Sequence, residues 1–177
     1  MSTEKELSEK LLKASQEKLK EVASTAMKMM NGVTTVADVR GIGRAELEAA
    51  YSVGSGFYRT GRYEDAEKIF YFLCIMEHTC PKYWTALGAV RQVRKEYKEA
   101  ITAYAAAAMF DLHLPKPHFY AAECALAMGD FDSAESGCRT LLAFCPAGVG
   151  SNDEFRAKAE KLLAVVEAAR KSVAEKK

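Results

Sequence analysis

Histidine and paired cysteine are scarce in this sequence, and their scarcity removes several kinds of chemistry. The chain has three histidines and five cysteines, and no two cysteines form a Cys-x-x-Cys pair. Neither residue type occurs at the spacing of a metal site, and no motif for a catalytic nucleophile is present. Gly41-x-Gly43 and Gly54-x-Gly56 both lack the third glycine and the preceding strand of a dinucleotide fingerprint. The sequence therefore predicts no enzyme, no metal and no cofactor.

The chain also lacks a dominant charge and a long apolar run. Lysine and arginine total 25 against 24 aspartates and glutamates, a net charge of +1, whereas a nucleic-acid binder normally shows a clustered basic face. Residues 1–20 are dense in lysine and glutamate, unlike a secretion signal or a membrane span. An odd number of cysteines fits a reducing compartment. We expect a cytosolic protein with no nucleic-acid partner and no direct membrane insertion.

Against these absences stands a repeat with a period of 34 residues. Four columns of residues recur three times in register, and each column has its own physical reason. Two small-residue columns allow two helices to approach closely, an aromatic column fills the corner between them, and a turn column follows the first helix. The columns are Gly54, Gly88 and Ala122; Ala66, Ala100 and Ala134, expected to face them; Tyr63, Tyr97 and Phe131; and Gly61, Lys95 and Gly129. A 34-residue helix-turn-helix period is typical of the tetratricopeptide repeat.

The repeat columns set the predicted domain organisation. We place repeat units at residues 47–80, 81–114 and 115–148, with Pro81 and Pro115 each opening a unit at a first helical turn. Residues 1–46 form an N-terminal helix and a connection, and residues 149–177 form a C-terminal helix that caps the last unit. The predicted fold is all-α, a superhelix of three helical hairpins flanked by these two helices.

Two residues in the third unit have both a structural and a chemical interpretation. Cys138 stands in the column of Phe70 and Tyr104, and His118 stands in the column of Trp84. A buried packing role is favoured over a reactive thiol for the cysteine and over catalysis for the histidine.

The N-terminal helix has an apolar stripe that needs a partner. Leu11 and Leu19 lie within a series of apolar residues at three- and four-residue steps between residues 7 and 30. Two partners remain open, the first repeat or a second subunit.

A protein without catalytic motifs acts through a surface, and stacked repeats present one. The first helix of each unit lines the concave side of such an array. Residues four and seven positions apart on that helix share a face, and this spacing selects a candidate peptide-binding groove with aromatic anchors. The groove residues are Tyr51, Ser55 and Tyr58; Thr85, Ala89 and Gln92; and Phe119, Glu123 and Leu126. Phe119 has the alternative of being inter-repeat core.

The same positions argue against a clamp for terminal carboxylates. Such a clamp needs lysines and asparagines on the inner helix faces, where this chain has Tyr51, Ser55 and Thr85. Only Lys82 and Lys116 lie nearby.

Several sequence segments together resemble the class II chaperones of bacterial type III secretion systems. They are Leu47-Glu48-x-x-Tyr51-Ser52, Gly61-Arg62-Tyr63-Glu64-Asp65-Ala66, Leu87-Gly88-Ala89, Ala121-Ala122-Glu123-Cys124 and Ala134-Glu135-Ser136-Gly137. The similarity runs from about Val36 to Phe144. Asp38-Val39-x-Gly41-Ile42 and Phe72-Leu73-Cys74-Ile75 look closest to the branch that includes the invasion-associated chaperone of Salmonella.

This resemblance implies a function. Members of the family hold two hydrophobic translocator proteins soluble and apart in the bacterial cytosol by binding an N-terminal Pro-x-Leu-x-x-Pro segment in the concave groove. The family's groove aromatics match Tyr51, Tyr58 and Tyr63, while Ser55 stands where relatives can have phenylalanine. Dimers of relatives imply a homodimer of the unloaded protein, through Phe72 and Met76 or through the N-terminal helix. The alternative function is a scaffold or co-regulator, for example of a transcription activator, that uses the convex face or the terminal helices.

Overall fold

The computed structural model describes the backbone of residues 2–174 and the side chains of residue 10 and residues 13–173. Within that range every regular element is an α-helix. The helices are α1 (Ser2–Met30), α2 (Val36–Arg40), α3 (Arg44–Arg59), α4 (Tyr63–Met76), α5 (Pro81–Val93), α6 (Tyr97–Phe110), α7 (Pro115–Ala127), α8 (Phe131–Phe144) and α9 (Asn152–Ala174). The chain divides into two compact units, residues 1–43 and residues 44–177.

The first unit contains the long helix α1 and the short helix α2. Where its side chains are described, α1 exposes most of its apolar residues, Leu19 at 70% among them. Helix α2 begins with a capping box, in which the Thr35 hydroxyl accepts from the Asp38 backbone N–H and the Asp38 carboxylate accepts from the Thr35 N–H. These bonds fix the start of α2, and the left-handed residue Gly41 ends it.

The second unit is built from the three predicted hairpins, α3–α4, α5–α6 and α7–α8. Each hairpin packs against the next, and α9 packs against α8 and α7. The first hairpin begins at Arg44, three residues before the predicted boundary. Pro81 and Pro115 occupy the first turn of α5 and α7, where a missing N–H costs no hydrogen bond. The all-α repeat fold is thus confirmed.

The small residues of the first helices make room for aromatic rings. A Cβ placed on Gly54 would lie 2.9 Å from the ring of Phe70, and one placed on Gly88 would lie 2.6 Å from the ring of Tyr104. The alanines Ala66 and Ala100 were expected to face these glycines, and the structure adds a ring at each glycine. Those alanines are fully buried, but the ring is what requires glycine.

In the third hairpin the residue on the first helix is larger than glycine, and the residue that faces it is smaller than a ring. Ala122 replaces glycine and Cys138 replaces the ring, and both are fully buried. The Cβ of Ala122 lies 3.1 Å from the position of a Cβ on Gly137, so the two helices still meet closely. The predicted packing role of Cys138 follows from this exchange.

The turn column has a left-handed backbone in every repeat. Gly61 has a φ of 78°, Gly129 a φ of 76° and Lys95 a φ of 63°. Lys95 therefore adopts the glycine conformation with a side chain that disfavours it.

The two junctions between hairpins differ in chemistry. Between the first and second hairpins, the half-buried carboxylate of Glu67 accepts from Arg91 at 2.9 Å and from Arg94 at 2.5 Å. The equivalent position at the second junction is Ile101, which packs in an apolar cluster with Ala125. One junction is ionic and the other apolar.

Helix α9 covers the end of the array, as predicted. Phe155, Ala159 and Val166 are buried on the surface of α7 and α8. The Arg156 guanidinium donates to the carbonyl oxygens of Leu142 at 2.7 Å and Cys145 at 2.8 Å, at the carboxyl end of α8. These bonds satisfy carbonyls that the end of a helix leaves without partners.

Candidate peptide-binding groove

Two adjoining cavities lie along the first helices of the hairpins, and together they are called the groove. One cavity, of about 180 Å³, lies between α3 and α5, and the other, of about 620 Å³, extends from α3 and α5 to the start of α7. Tyr51, Ala86 and Ala89 line both. The groove therefore runs across successive repeats, as a site for an extended segment would.

Tyr51 is the aromatic residue that lines both cavities. Its ring centroid lies 5.5 Å from that of Phe70 and 5.9 Å from that of Tyr83. The Lys82 Nζ lies 3.9 Å from the centroid of the Tyr51 ring. The same Nζ forms an ion pair with Glu48 at 2.6 Å. The Lys82 ammonium also lowers the pKa of Glu48. Packing and a cation–π contact hold this ring in place before any ligand binds.

The smaller cavity has Tyr58 at one end and Ser55 within it. Tyr58 contacts Tyr63 edge-to-face with centroids 5.6 Å apart, so the predicted aromatic Tyr63 supports Tyr58 from outside the cavity lining. Burial raises the pKa of the Tyr58 phenol, which stays a neutral hydrogen-bond donor at physiological pH. Ser55 leaves open the volume that a larger side chain would fill.

Thr85 and Ala89 line the larger cavity, as the spacing predicted. The Thr85 hydroxyl donates to the Pro81 carbonyl oxygen at 2.7 Å, within its own helix. Its outward surface is therefore the methyl group, and this part of the groove is apolar.

Gln92 and Glu123 form a polar pair beside Tyr104. The Tyr104 hydroxyl donates to Gln92 Oε1 at 2.7 Å, and Gln92 Nε2 donates to Glu123 Oε2 at 3.3 Å. Burial raises the pKa of Glu123, which the Gln92 hydrogen bond only partly offsets. These residues contact each other, but neither lines the two cavities.

Two further predicted groove residues, Phe119 and Leu126, pack beneath α9. Phe119 is 7% exposed and packs against Phe155 with centroids 5.6 Å apart, so it belongs to the core beneath α9. Leu126 packs against the cluster that contains Val166 of α9. Neither side chain lines the two cavities, because α9 covers the part of α7 that carries both of them.

Tyr120 is the groove aromatic that the sequence prediction missed. It lines the larger cavity, and its ring stacks on Tyr104 with centroids 5.8 Å apart. Tyr120 stands 34 residues after Ala86, which lines both cavities. The repeat column of Ala86 and Tyr120, one position after the column of Thr85 and Phe119, therefore carried the sequence signal for this groove residue.

The remaining chemically competent side chains serve packing. His118 is buried with Nε2 3.0 Å from the Leu112 carbonyl oxygen, and Trp84 in the same column donates to the His78 carbonyl oxygen at 2.6 Å. Burial raises the pKa of the Cys138 thiol to about 11. Within the described residues no group of three metal-ligating side chains comes together.

The residues predicted for self-association are accessible where the structure describes them. Phe72 is 41% exposed on α4, and Met76, one turn later, is partly buried. Leu19 is exposed on α1. Leu11 has a described backbone only, and its side chain lies outside the described residues. No helix in residues 2–174 has the length and hydropathy needed to cross a membrane.

The fold and groove define the class as a tetratricopeptide-repeat protein, and a model of that repeat family matches residues 47–79 and 81–111. Low calcium response locus protein H of Yersinia pestis is 34% identical over 139 residues, which cover 78% of this chain and 80% of the relative. Chaperone protein SicA of Salmonella typhimurium is 35% identical over 94 residues, 53% of this chain and 57% of the relative. The chain belongs to the family of type III secretion translocator chaperones.

Solved structures of this family share the fold of this chain. A type III secretion complex from Aeromonas hydrophila matches with a TM-score of 0.77 and 32% identity, covering 84% of this chain and 98% of the other. Yersinia enterocolitica SycD with a peptide of the translocator YopD matches with a TM-score of 0.67 and 32% identity, covering 73% and 98%. PcrH with the chaperone-binding region of PopD matches with a TM-score of 0.69 and 36% identity, covering 73% and 97%.

The family prediction is thereby confirmed. The narrower expectation of the Salmonella branch stays a prediction, since the Yersinia and Salmonella relatives are 34% and 35% identical to this chain.

Proposed function

We propose that this chain binds hydrophobic translocator proteins of a type III secretion system in the bacterial cytosol, through an extended segment that occupies the groove. The observation that supports this most is the pair of adjoining cavities, which share the fixed ring of Tyr51 and two alanines. The groove floor carries Ser55, Ala86 and Ala89, which leave space at the positions where bulky residues would close it. A relative, SycD, has been crystallised with a peptide of the translocator YopD.

The proposed mechanism is binding at equilibrium, without turnover. A translocator has membrane-seeking segments that aggregate or insert when exposed, and a ligand that binds the soluble form shifts the population toward it. A Pro-x-Leu-x-x-Pro segment loses little conformational entropy on docking, because proline already restricts the free peptide. The apolar side chains of such a segment match the aromatic and methyl surfaces of Tyr51, Thr85 and Tyr120.

We further propose that the unloaded protein is a homodimer. Phe72 and Ile75 are exposed on one face of α4, at 41% and 45%. Leu19 offers a second apolar surface on α1. One crystal form of the relative SycD is described as an alternative dimer, with a TM-score of 0.67 and 32% identity to this chain over 73% of this chain and 97% of the other.

A peptide titration tests the groove proposal. A fluorescein-labelled peptide with a Pro-x-Leu-x-x-Pro segment is titrated with the full chain, and binding is followed by anisotropy. The matched control peptide has aspartate in place of the leucine. We expect saturable binding of the first peptide and little of the second, because a charged side chain is costly to bury against Tyr51 and Ala89. Equal binding of both peptides, or of neither by a helical and folded chain, rules out the proposal.

A further inference from the structure

The three hairpins share a column of residues at the rim of the groove, one position after the opening of each unit. The column is Glu48, Lys82 and Lys116. Lys82 is satisfied by the preceding repeat, since its Nζ lies 2.6 Å from Glu48 Oε2 and 3.9 Å from the centroid of the Tyr51 ring. The first junction therefore supplies its lysine with a carboxylate and with an aromatic face.

The second junction lacks both partners. The residue that corresponds to Glu48 is Lys82 itself, and the residue that corresponds to Tyr51 is Thr85. Among residues whose side chains are described, none forms an ion pair with Lys116. Thr85, the residue equivalent to Tyr51, is smaller than a ring and lines the 620 Å³ cavity. Lys116 lines the same cavity.

The other charges near the cavity leave Lys116 available. Lys82 is neutralised by Glu48. Asp111 also lines the cavity, and its carboxylate accepts from the His113 backbone N–H at 2.9 Å without an ion pair to Lys116. Glu154 is bonded to Lys158 at 2.5 Å, and the Lys158 hydrogen bond is the main cause of its lowered pKa, with Lys116 the last contributor.

From this register we infer that the larger cavity takes an acidic side chain of the bound segment, with Lys116 as the specificity-determining residue. The ligand carboxylate pairs with Lys116 as Glu48 pairs with Lys82. The adjoining apolar surface of Thr85 and Tyr120 receives the neighbouring residue of the segment. This inference rests on the proposed groove function and adds to it the charge of one ligand position.

The pairing of Lys116 with a ligand carboxylate contributes to selectivity more than to affinity. An ion pair at a partly exposed rim contributes about 0.4–1 kcal/mol, which corresponds to a change of about 2- to 5-fold in the dissociation constant. Pairs of this kind also set the register of a bound segment and are weakened by salt.

A glutamate scan of the peptide tests the inference. Peptides with the Pro-x-Leu-x-x-Pro segment carry one glutamate, or one glutamine as the matched peptide, at each variable and flanking position in turn. We expect one position at which the glutamate peptide binds the unaltered chain about 2- to 5-fold more tightly. In Lys116→Met this preference is lost, and in Lys116→Glu a lysine peptide at that position is preferred. Lys98→Met, on α6 away from the cavities, keeps the wild-type preference.

The possible results separate the two proposals. Binding of all peptides with equal affinity for each glutamate and glutamine pair overturns the role of Lys116 and leaves the groove function standing. A glutamate preference that persists in Lys116→Met also overturns it. Failure of every peptide to bind the folded chain overturns the groove function together with this inference. Circular dichroism of each variant verifies the fold, which a substitution at the exposed Lys116 leaves unchanged.

Discussion

The ring of Tyr104 lies over the backbone of Gly88, so close that a Cβ at residue 88 would be 2.6 Å from the nearest ring carbon. This contact joins the two helices of the middle hairpin. It also places the Tyr104 hydroxyl where it donates to Gln92 at 2.7 Å. Packing inside the hairpin and the polar residues beside the groove are therefore coupled through one side chain.

Replacing Gly88 by alanine is expected to destabilise the chain by about 1–3 kcal/mol, because the buried ring of Tyr104 has no space to withdraw into. Gly56→Ala is the matched control, since nothing lies within 4 Å of a Cβ there. That change is expected to stabilise α3 by about 0.5–1 kcal/mol through helix propensity. Urea unfolding followed by circular dichroism measures both. Equal effects of the two substitutions would contradict the close contact.

Lys95→Gly is expected to stabilise the chain by about 1 kcal/mol. The residue has a φ of 63°, a conformation that is strained for lysine and free of strain for glycine. The reverse change, Gly129→Lys at the equivalent turn with a φ of 76°, should lower stability by a similar amount. Thermal unfolding of the two variants checks the prediction, which fails if both substitutions shift the midpoint in the same direction.

Tyr51→Ala combined with Tyr58→Ala is expected to weaken peptide binding by about 2–4 kcal/mol, the loss typical of paired aromatic anchors. Isothermal titration calorimetry with the Pro-x-Leu-x-x-Pro peptide measures this loss. Tyr71→Ala provides the control, since this tyrosine is 51% exposed on α4 and does not line the groove. Unchanged affinity of the double variant, with unchanged circular dichroism, would show that the peptide binds elsewhere.

Glu123 is expected to make stability depend on pH. Burial raises its pKa in the folded chain above the ordinary value of 4.5, so the folded state retains a proton that the unfolded state has lost. The contribution of Glu123 to stability therefore falls as pH rises from 4.5 through the raised pKa.

The variant Glu123→Gln removes this fall, since glutamine does not titrate. The difference in unfolding free energy between wild type and variant, measured across this pH range, isolates the contribution of one carboxyl group. Glu160→Gln on the exposed face of α9 is the control. A difference that is independent of pH would contradict the raised pKa.

Self-association is expected to depend on one of two apolar surfaces. Phe72→Glu tests the α4 face and Leu19→Glu tests α1, and each places a charge on an exposed apolar residue. Light scattering after size exclusion gives the mass of each variant without peptide. The variant that becomes monomeric identifies the interface, whereas a dimer in both variants and in their combination excludes the two surfaces.

Repeat spacing made much of the fold predictable. Four columns in register, among them that of Gly54, Gly88 and Ala122, placed three hairpins, because a residue type at a fixed period reflects one packing requirement met three times. The sequence did not disclose that rings fill the space over the glycines. That relationship crosses between helices, and the period alone does not determine which residues face each other.

The groove was predictable where the repeats are equivalent and unpredictable where they are not. Tyr51, Ser55 and Tyr58 line the smaller cavity as expected. Phe119 occupies the same column as Tyr51, but α9 packs on the third hairpin and buries it against Phe155. The end of an array breaks the symmetry of the repeat, so columns lose their predictive value there.

Because Glu67 forms ion pairs with Arg91 and Arg94, the junction between the first and second hairpins responds to dissolved salt differently from the junction between the second and third. Dissolved ions weaken attraction between charges and leave hydrocarbon contacts such as Ile101 with Ala125 intact or slightly tighter. Raising the ionic strength is therefore expected to weaken the contact between the first and second hairpins more than the contact between the second and third. The position of Tyr51 relative to α5 is then more sensitive to salt than the position of Tyr120 relative to α6.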